Sequence, residues 1–98
     1  MTPVNKTGKM LCASHVSYQP LKDGDGMLVD LATGKLYSLN RVGTEVWNLL
    51  AAGHAVGDIV ALIERKYALE PSTAESDVLS LCRALVQEKL VSPPTERS

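Results

Sequence analysis

The chain has 98 residues, of which 45% are apolar and 21% are charged, a balance typical of one folded domain and not of a disordered segment. Ten lysines and arginines face eleven aspartates and glutamates, and the net charge of -1 disfavours nucleic acid as a partner, because phosphate backbones attract basic surfaces. The sequence contains no Phe, so its core must be aliphatic around Trp47.

The sequence also indicates the compartment in which the protein works. Residues 1–9 carry no apolar signal segment, and no run of about 18 apolar residues is present to span a membrane. We therefore expect a cytoplasmic protein with no membrane partner. Cys12 and Cys82 stand in apolar surroundings, which predicts buried, reduced thiols. His15 and His54 lie far from each other and from the cysteines, so we expect neither a metal nor another cofactor.

The first half of the chain alternates with the period of β-strands. Residues 10–18 give a weak strand signal, and residues 27–31 and 35–39 give two stronger ones. The last two are separated by a short turn in which Gly34 can adopt the positive φ that tight hairpin loops need. These segments predict a meander of three antiparallel strands.

The second half changes to the helical period. Asn40 suits a helix N-cap, and apolar side chains then recur at helical spacing over residues 41–52 and again over residues 56–67. Gly53 is the expected stop between the two segments. The sequence therefore predicts two consecutive helices directly after the meander.

A third helix is predicted to run to about residue 89. Its start is ambiguous by two residues, because Pro71 suits the first helical position whereas Ser72 and Glu75 have the spacing of a capping box. Residues 90–91 are apolar, and we expect them to close the domain against the sheet.

The third helix is apolar over a wider arc than one buried stripe needs. Around Val78, one flank consists of Ala74, Leu81, Ala84 and Leu85, and the other of Leu79, Cys82, Val86 and Leu90. The second flank must cover something, which is either a neighbouring element in a central, fully buried helix or a groove that receives a ligand.

Three short strands followed by three helices predict an α+β domain of winged-helix-like form with a three-stranded antiparallel sheet. We place this domain at residues 10–91 and expect disordered tails at residues 1–9 and 92–98. A monomer is expected, although an open strand edge also permits a dimer.

Four segments between residues 26 and 91 make the chain recognisable. They are Asp-Leu-Ala-Thr-Gly-Lys-Leu-Tyr-Ser-Leu-Asn at residues 30–40, Gly-Thr-Glu-Val-Trp at 43–47 with Leu-Leu at 49–50, Asp-Ile-Val at 58–60, and Ala-Glu-Ser-Asp-Val at 74–78 running on to Leu85. In this order and spacing they resemble the PqqD-like peptide-recognition family. Many members of that family are free-standing recognition elements of ribosomally synthesised and post-translationally modified peptides (RiPPs).

The resemblance implies a non-enzymatic module, a peptide chaperone that binds the leader of a precursor peptide and presents the precursor to modifying enzymes. Pathways of this kind make lasso peptides, pyrroloquinoline quinone (PQQ) or sactipeptide-like products, and the hairpin at residues 30–40 in a free-standing chain favours the lasso type. The implied partners are the precursor leader peptide and a modifying enzyme, which is a leader peptidase or cyclase or a radical SAM enzyme.

In that family the leader adds as an extra strand to the third strand of the sheet and packs into the groove beside the third helix. An edge strand over residues 35–39 would offer unpaired backbone groups, and pockets beside it would select alternate peptide side chains. We therefore assign peptide binding to Lys35, Leu36, Tyr37, Ser38 and Leu39 of the strand and to Ala74, Asp77, Val78, Leu81, Ala84 and Leu85 of the helix. No catalytic or metal-binding residue is assigned.

Several of these residues have a structural alternative. Leu39, Val78 and Leu85 could equally fill the core, as aliphatic side chains usually do. Lys35 could protect the strand edge from unwanted pairing, and Asp77 could interact with the helix dipole.

A winged-helix DNA-binding regulator is the alternative from another functional class, because such proteins also combine three helices with a β-hairpin. Charge argues against it, since the second predicted helix offers only Arg65 and Lys66, and the third only Arg83 and Lys89. An enzyme is disfavoured too, because the sequence shows neither a Cys–His or Ser–His motif nor a glycine-rich phosphate loop.

Overall fold

The structure, a computed structural model, describes residues 10–92. In chain order it contains β1 (Leu11–Cys12), β2 (Val16–Pro20), a single 3-10 turn (Lys22–Gly24), β3 (Gly26–Asp30), β4 (Leu36–Leu39), α1 (Arg41–Ala51), α2 (Val56–Tyr67), α3 (Pro71–Gln87) and β5 (Val91–Ser92). The strands β2, β3 and β4 form an antiparallel meander in that order, and the three helices follow it. The predicted α+β architecture is therefore confirmed.

The first predicted strand consists of two short strands that belong to different sheets. A turn interrupts it, since the Val16 N–H donates a hydrogen bond to the Ala13 C=O at 3.2 Å. Beyond the turn β2 pairs with β3, whereas β1 pairs with β5 at the far end of the described chain. The expected closure by residues 90–91 thus occurs against β1 and not against the meander. Ser92, the predicted start of the tail, lies in β5, and residues 1–9 and 93–98 lie outside the described residues.

The turn between β3 and β4 is held by Asp30. Its carboxylate accepts hydrogen bonds from the backbone N–H groups of Ala32 at 2.9 Å and Thr33 at 3.2 Å, and its C=O accepts from the Gly34 N–H. Gly34 has the expected positive φ, 81°. Burial alone would raise the pKa of Asp30, but the two N–H groups, the Thr33 hydroxyl and the nearby His15 hold this pKa below its ordinary value.

The first helix follows β4 without a loop. Asn40 is its N-cap, as predicted, and the Asn40 side chain accepts a hydrogen bond from the Gly43 N–H at 2.8 Å. The helix ends at Ala51, and Gly53 then takes a φ of 94°. This direct junction holds the end of β4 against the start of α1.

The third helix begins at Pro71, so Ser72 lies inside the helix and not at a capping-box N-cap. It ends at Gln87, two residues before the predicted end, because Lys89 adopts a left-handed φ of 63°. Leu90 is then free to turn back toward β1, and the Ala13 N–H donates to its C=O at 2.9 Å.

The helices pack on the inner face of the meander around an aliphatic core. Trp47 lies in that core, as expected, and is 4% exposed. The core also contains side chains from each helix and from the strands, namely Met10, Leu28, Leu39, Val46, Leu50, Val56, Ile59, Ile63, Val78, Cys82, Leu85, Leu90 and Val91. The α3 helix therefore buries one residue or more of each flank together with Val78, whereas Leu81 on one flank and Leu79 and Val86 on the other are only partly buried.

The sheet approaches α1 closely at Gly26. A Cβ atom at this position would lie 2.8 Å from Cε1 of Tyr18 and 2.9 Å from Oγ1 of Thr44. We expect Gly26→Ala to lower the free energy of unfolding by about 1–3 kcal/mol, since the tightly packed neighbours must shift. Urea unfolding measures this, and the loss should be smaller in a Thr44→Ala background. An unfolding midpoint equal to that of the wild type would contradict the close approach.

The hairpin turn should lose stability in acid. Because the folded state holds the pKa of Asp30 below its ordinary value of about 3.9, the ionised carboxylate stabilises the fold above that pH, and the gain disappears as the pH falls through the lowered pKa. The difference in melting temperature between the wild type and Asp30→Asn should therefore shrink progressively as the pH falls below about 4. A difference in melting temperature that is constant from neutral to acidic pH would refute this role of the charge.

Candidate functional site

The β4 strand forms one edge of the meander, with β3 on one side and no further strand within residues 10–92 on the other. The Asp30 N–H donates to the Lys35 C=O at 2.9 Å, and this bond sets the antiparallel alternation. Tyr37 and Leu39 accordingly direct their backbone groups toward β3. The N–H and C=O groups of Leu36 and Ser38 point outward along the open edge.

The other edge of the meander, β2, differs in one respect. The Leu31 N–H donates to the His15 C=O at 2.8 Å, so the backbone groups of Val16, Tyr18 and Pro20 are those that point outward. Pro20 has no N–H to offer, and proline at such a position discourages pairing with another strand. Of the two edges, β4 is the one whose outward donors are all present.

A groove of about 440 Å³ runs between β4 and α3. It is lined by Ser38, Leu39, Asn40, Val42, Gly43, Val46, Asp77, Ser80 and Leu81. Aliphatic side chains supply most of the apolar lining, whereas Ser38, Ser80 and Asp77 contribute polar groups. An apolar surface with a few polar groups is the usual form of a ligand-binding site.

The start of α1 gives the groove its depth. A Cβ atom on Gly43 would lie 3.5 Å from Cδ2 of Leu39 and 3.6 Å from Cδ2 of Leu81, so the glycine leaves these two leucines room on either side. No site residue is predicted on this helix from the sequence. The available signal was a glycine three residues after an N-cap, within an apolar helical segment. Glycine destabilises a helix interior, so its presence there indicates that a neighbouring element packs close to the backbone.

A second depression of about 300 Å³ lies toward the turn end of β4. It is lined mostly by residues with polar or charged side chains, namely His15, Asp30, Ala32, Thr33, Lys35, Tyr37, Glu88 and Lys89. The Tyr37 hydroxyl donates to Oε1 of Glu88 at 3.0 Å and so joins β4 to the end of α3. Burial raises the pKa of Tyr37, and the hydrogen bond to the Glu88 carboxylate and the charges of Glu88 and Asp30 raise it further.

The five predicted strand residues occupy three different environments. Leu39 faces the core and also lines the groove, and Tyr37 is half-buried beside the second depression. Ser38 lies on the rim of the groove, and Lys35 lines the second depression. Leu36 is 63% exposed on the opposite face of the sheet, outside the groove. Its contribution to a paired strand would come from its outward backbone groups.

The predicted helix residues divide into groove and core. Asp77 and Leu81 line the groove. Ala84 is exposed and falls between Leu81 and Glu88 on the same side of the helix. The flank that faces β4 is therefore the one through Leu81. Asp77 is the seventh residue of α3 and lies beyond the first turn, where the helix dipole acts most strongly.

The other three predicted helix residues, Ala74, Val78 and Leu85, do not line the groove. Their side chains are buried, and Val78 has no exposed surface at all. For Val78 and Leu85 this agrees with the core alternative considered above, and Leu39 combines both roles. Ala74, Val78 and Leu85 thus belong to the core that lies beneath the groove.

Neither of the two cysteines lines the groove. Burial raises the pKa of Cys12, and burial raises the pKa of Cys82 to about 11, so both thiols stay protonated at neutral pH and are poor nucleophiles. Residues 10–92 contain no cluster of three or more His, Cys, Asp or Glu side chains that could hold a metal ion. None of the helices in the same range has the length and hydropathy needed to cross a membrane.

Two solved structures share this architecture. One is TbiB1 in complex with the TbiA(beta) leader peptide, with a TM-score of 0.79 and 28% sequence identity over 88% of this chain and 99% of that chain. The other is a lasso peptide synthetase B1 complexed with the leader peptide, with a TM-score of 0.78 and 22% identity over 87% of this chain and 99% of that chain. At the lower identity the likeness establishes the fold.

A search of the curated proteins returned no match. The family model for Coenzyme PQQ synthesis protein D (PqqD) matches residues 25–91, a range that contains β3, β4 and all three helices and hence both walls of the groove. This match confirms the resemblance found in the sequence, and the chain belongs to the PqqD family.

Proposed function

We propose that this protein is a RiPP recognition element, which binds the leader of a ribosomally made precursor peptide by strand addition and presents the precursor to modifying enzymes. The observation that carries the proposal is the open edge of β4 beside an apolar groove on α3. The likeness to TbiB1, whose structure contains the TbiA(beta) leader peptide, supports it.

The two walls of the groove would act on different parts of the leader. Leu36 and Ser38 offer two N–H and two C=O groups to the backbone of an added strand, and these bonds form with almost any sequence. Selection would come from the side chains, because every second residue of the added strand would point toward Leu81 and the apolar lining. The backbone contacts would thus contribute general affinity, and the groove would decide which peptide binds.

The protein would act as an adaptor without catalytic activity. Its partners would be the precursor leader and a modifying enzyme, either a leader peptidase or cyclase of a lasso-peptide pathway or a radical SAM enzyme of a PQQ-like pathway. The likeness to TbiB1 favours the lasso type. A cytoplasmic location, where precursors are synthesised, belongs to the same proposal.

The DNA-binding alternative has no support. A recognition helix requires basic and hydrogen-bonding side chains on an exposed face, yet α3 carries Arg83 as its single cation between Pro71 and Gln87. The groove side of the same helix carries Asp77, a charge that repels phosphate. Its apolar lining is better suited to a peptide.

The open edge can be tested at Ser38. We expect Ser38→Pro to weaken binding of a fluorescein-labelled leader segment, taken from a short precursor encoded beside this gene, by about three- to tenfold, because proline removes one outward N–H. Fluorescence anisotropy measures the affinity. The fold should persist, since that N–H does not pair with β3. Ser38→Thr keeps the N–H and should bind more tightly than the proline variant; equal affinities would argue against pairing at this edge.

The apolar lining can be tested at Leu81. Leu81→Asp places a carboxylate in the groove beside Asp77, and we expect at least about a tenfold loss of affinity for the same labelled segment. The matched control is Leu62→Asp on α2, an exposed leucine outside the groove, which should change the affinity by no more than about twofold. Circular dichroism checks that both variants fold. Equal effects of the two substitutions would contradict the location of the site.

A further inference from the structure

The β4–α3 groove and the second depression follow each other along β4 and form the two ends of one surface, which carry opposite charges that are available to a ligand. Asp77 is the single charged residue among those that line the apolar end, and within residues 10–92 its carboxylate has no hydrogen-bond or ion-pair partner. Its side chain is exposed, so its charge is free to act on a bound peptide.

At the turn end, most of the exposed charges are positive. Lys35 and Lys89 line the second depression, are exposed, and have no ion-pair partner within the described part of the chain. Two carboxylates lie in the same depression, but only one of them is exposed. Asp30 is 4% exposed and accepts hydrogen bonds from its own turn, while Glu88 is exposed and accepts the Tyr37 hydroxyl. Two exposed ammonium groups therefore outnumber the one exposed carboxylate.

The distance between the two charged ends determines how many peptide residues separate the side chains that would bind them. From Asp77 to Glu88, which adjoins Lys89, α3 and its C-cap advance about 16 Å at 1.5 Å per residue. An extended peptide covers this length in about five residues, since each adds about 3.3 Å. A strand added to β4 would thus pass both charged ends within one short segment.

We infer that the groove selects a leader segment with a basic residue over Asp77 and an acidic residue about four or six positions away over Lys35 and Lys89, an even spacing that keeps both side chains on one face of the strand. The inference rests on the proposed function and adds the charge pattern of the ligand to it. Backbone pairing alone permits an added strand to run in either direction along β4. A segment bound in reverse would place like charges together at both ends, so the charges also fix the direction of the strand.

The test is a selection of random twelve-residue peptides displayed on phage, carried out on the full-length protein. Peptides that also bind Leu81→Asp are discarded, which restricts the set to ligands of the groove. A parallel selection uses Asp77→Lys, in which both ends are basic. A third uses Asp58→Lys, which changes one charge on α2, a helix that contributes no residue to the groove. Circular dichroism verifies the fold of each variant.

For the wild type and for Asp58→Lys, we expect peptides enriched in a basic residue followed or preceded at about four or six positions by an acidic one. Asp77→Lys should instead enrich two acidic residues at the same spacing, whichever way the strand runs. A synthetic copy of a selected peptide should lose about fivefold in affinity for each of its two charges that is inverted, and less at high salt.

Two results would overturn the inference in different ways. If groove-dependent peptides are selected without this charge pattern, or if Asp77→Lys selects the same pattern as the wild type, the charges do not determine the ligand and the proposed function still stands. If the wild type selects no groove-dependent peptide, peptide binding at the groove fails, and the charge pattern fails with it.

Discussion

The register of the β3–β4 hairpin is the constraint on which the rest of the structure depends. Side chains alternate with a period of two along a strand, so a slip by one residue would turn Tyr37 and Leu39 outward and place Leu36 and Ser38 against the core. The same slip would exchange the backbone groups that face β3 with those that face the open edge. Asp30 prevents this slip, because its carboxylate and C=O bind the turn at one defined length. One buried carboxylate thus determines both the core face and the free edge.

The junction between β4 and α1 converts that edge into one side of a groove. Asn40 ends the strand and caps the helix in a single residue, so no loop separates the two elements. Gly43, on the first turn of the helix, has no side chain to fill the space between Leu39 and Leu81. Because α3 packs through its Val78 stripe, the flank with Leu81 is left facing this space. The groove follows from the junction and from the width of the apolar arc on α3.

Local signals in the sequence were sufficient to predict most of the strands and helices and their order along the chain. The hairpin, the Asn40 cap and the Pro71 start each depend on residues a few positions apart, and each forms as those residues dictate. The split between β1 and β2 could not be predicted in this way. It depends on β5, about 80 residues further along the chain, and residues 10–18 alone show one continuous weak pattern.

The candidate site was predicted less completely than the fold. Helical spacing separates the flanks of α3 but does not say how the helix is rotated relative to the sheet, and rotation decides whether Val78 or Leu81 lines a groove. Ala74, Val78 and Leu85 were grouped with Leu81 for this reason, although packing buries them. Asn40, Gly43 and Ser80 were missed because a cap, a helical glycine and a polar helix residue acquire a place in the groove only when a third element approaches them.

The division of α3 into a core stripe and a groove flank separates stability from recognition. Val78, Cys82 and Leu85 are buried and hold the helix in place, whereas Asp77 and Leu81 lie at the border and carry less of the packing. Substitutions at the border therefore change the shape and charge of the groove at a small cost in stability, since surface changes rarely exceed about 0.5 kcal/mol. The backbone edge of β4 is unaffected by such changes, because its donors and acceptors belong to no particular side chain. A domain built in this way can acquire a new peptide preference at two or three positions and keep both its fold and its general mode of pairing.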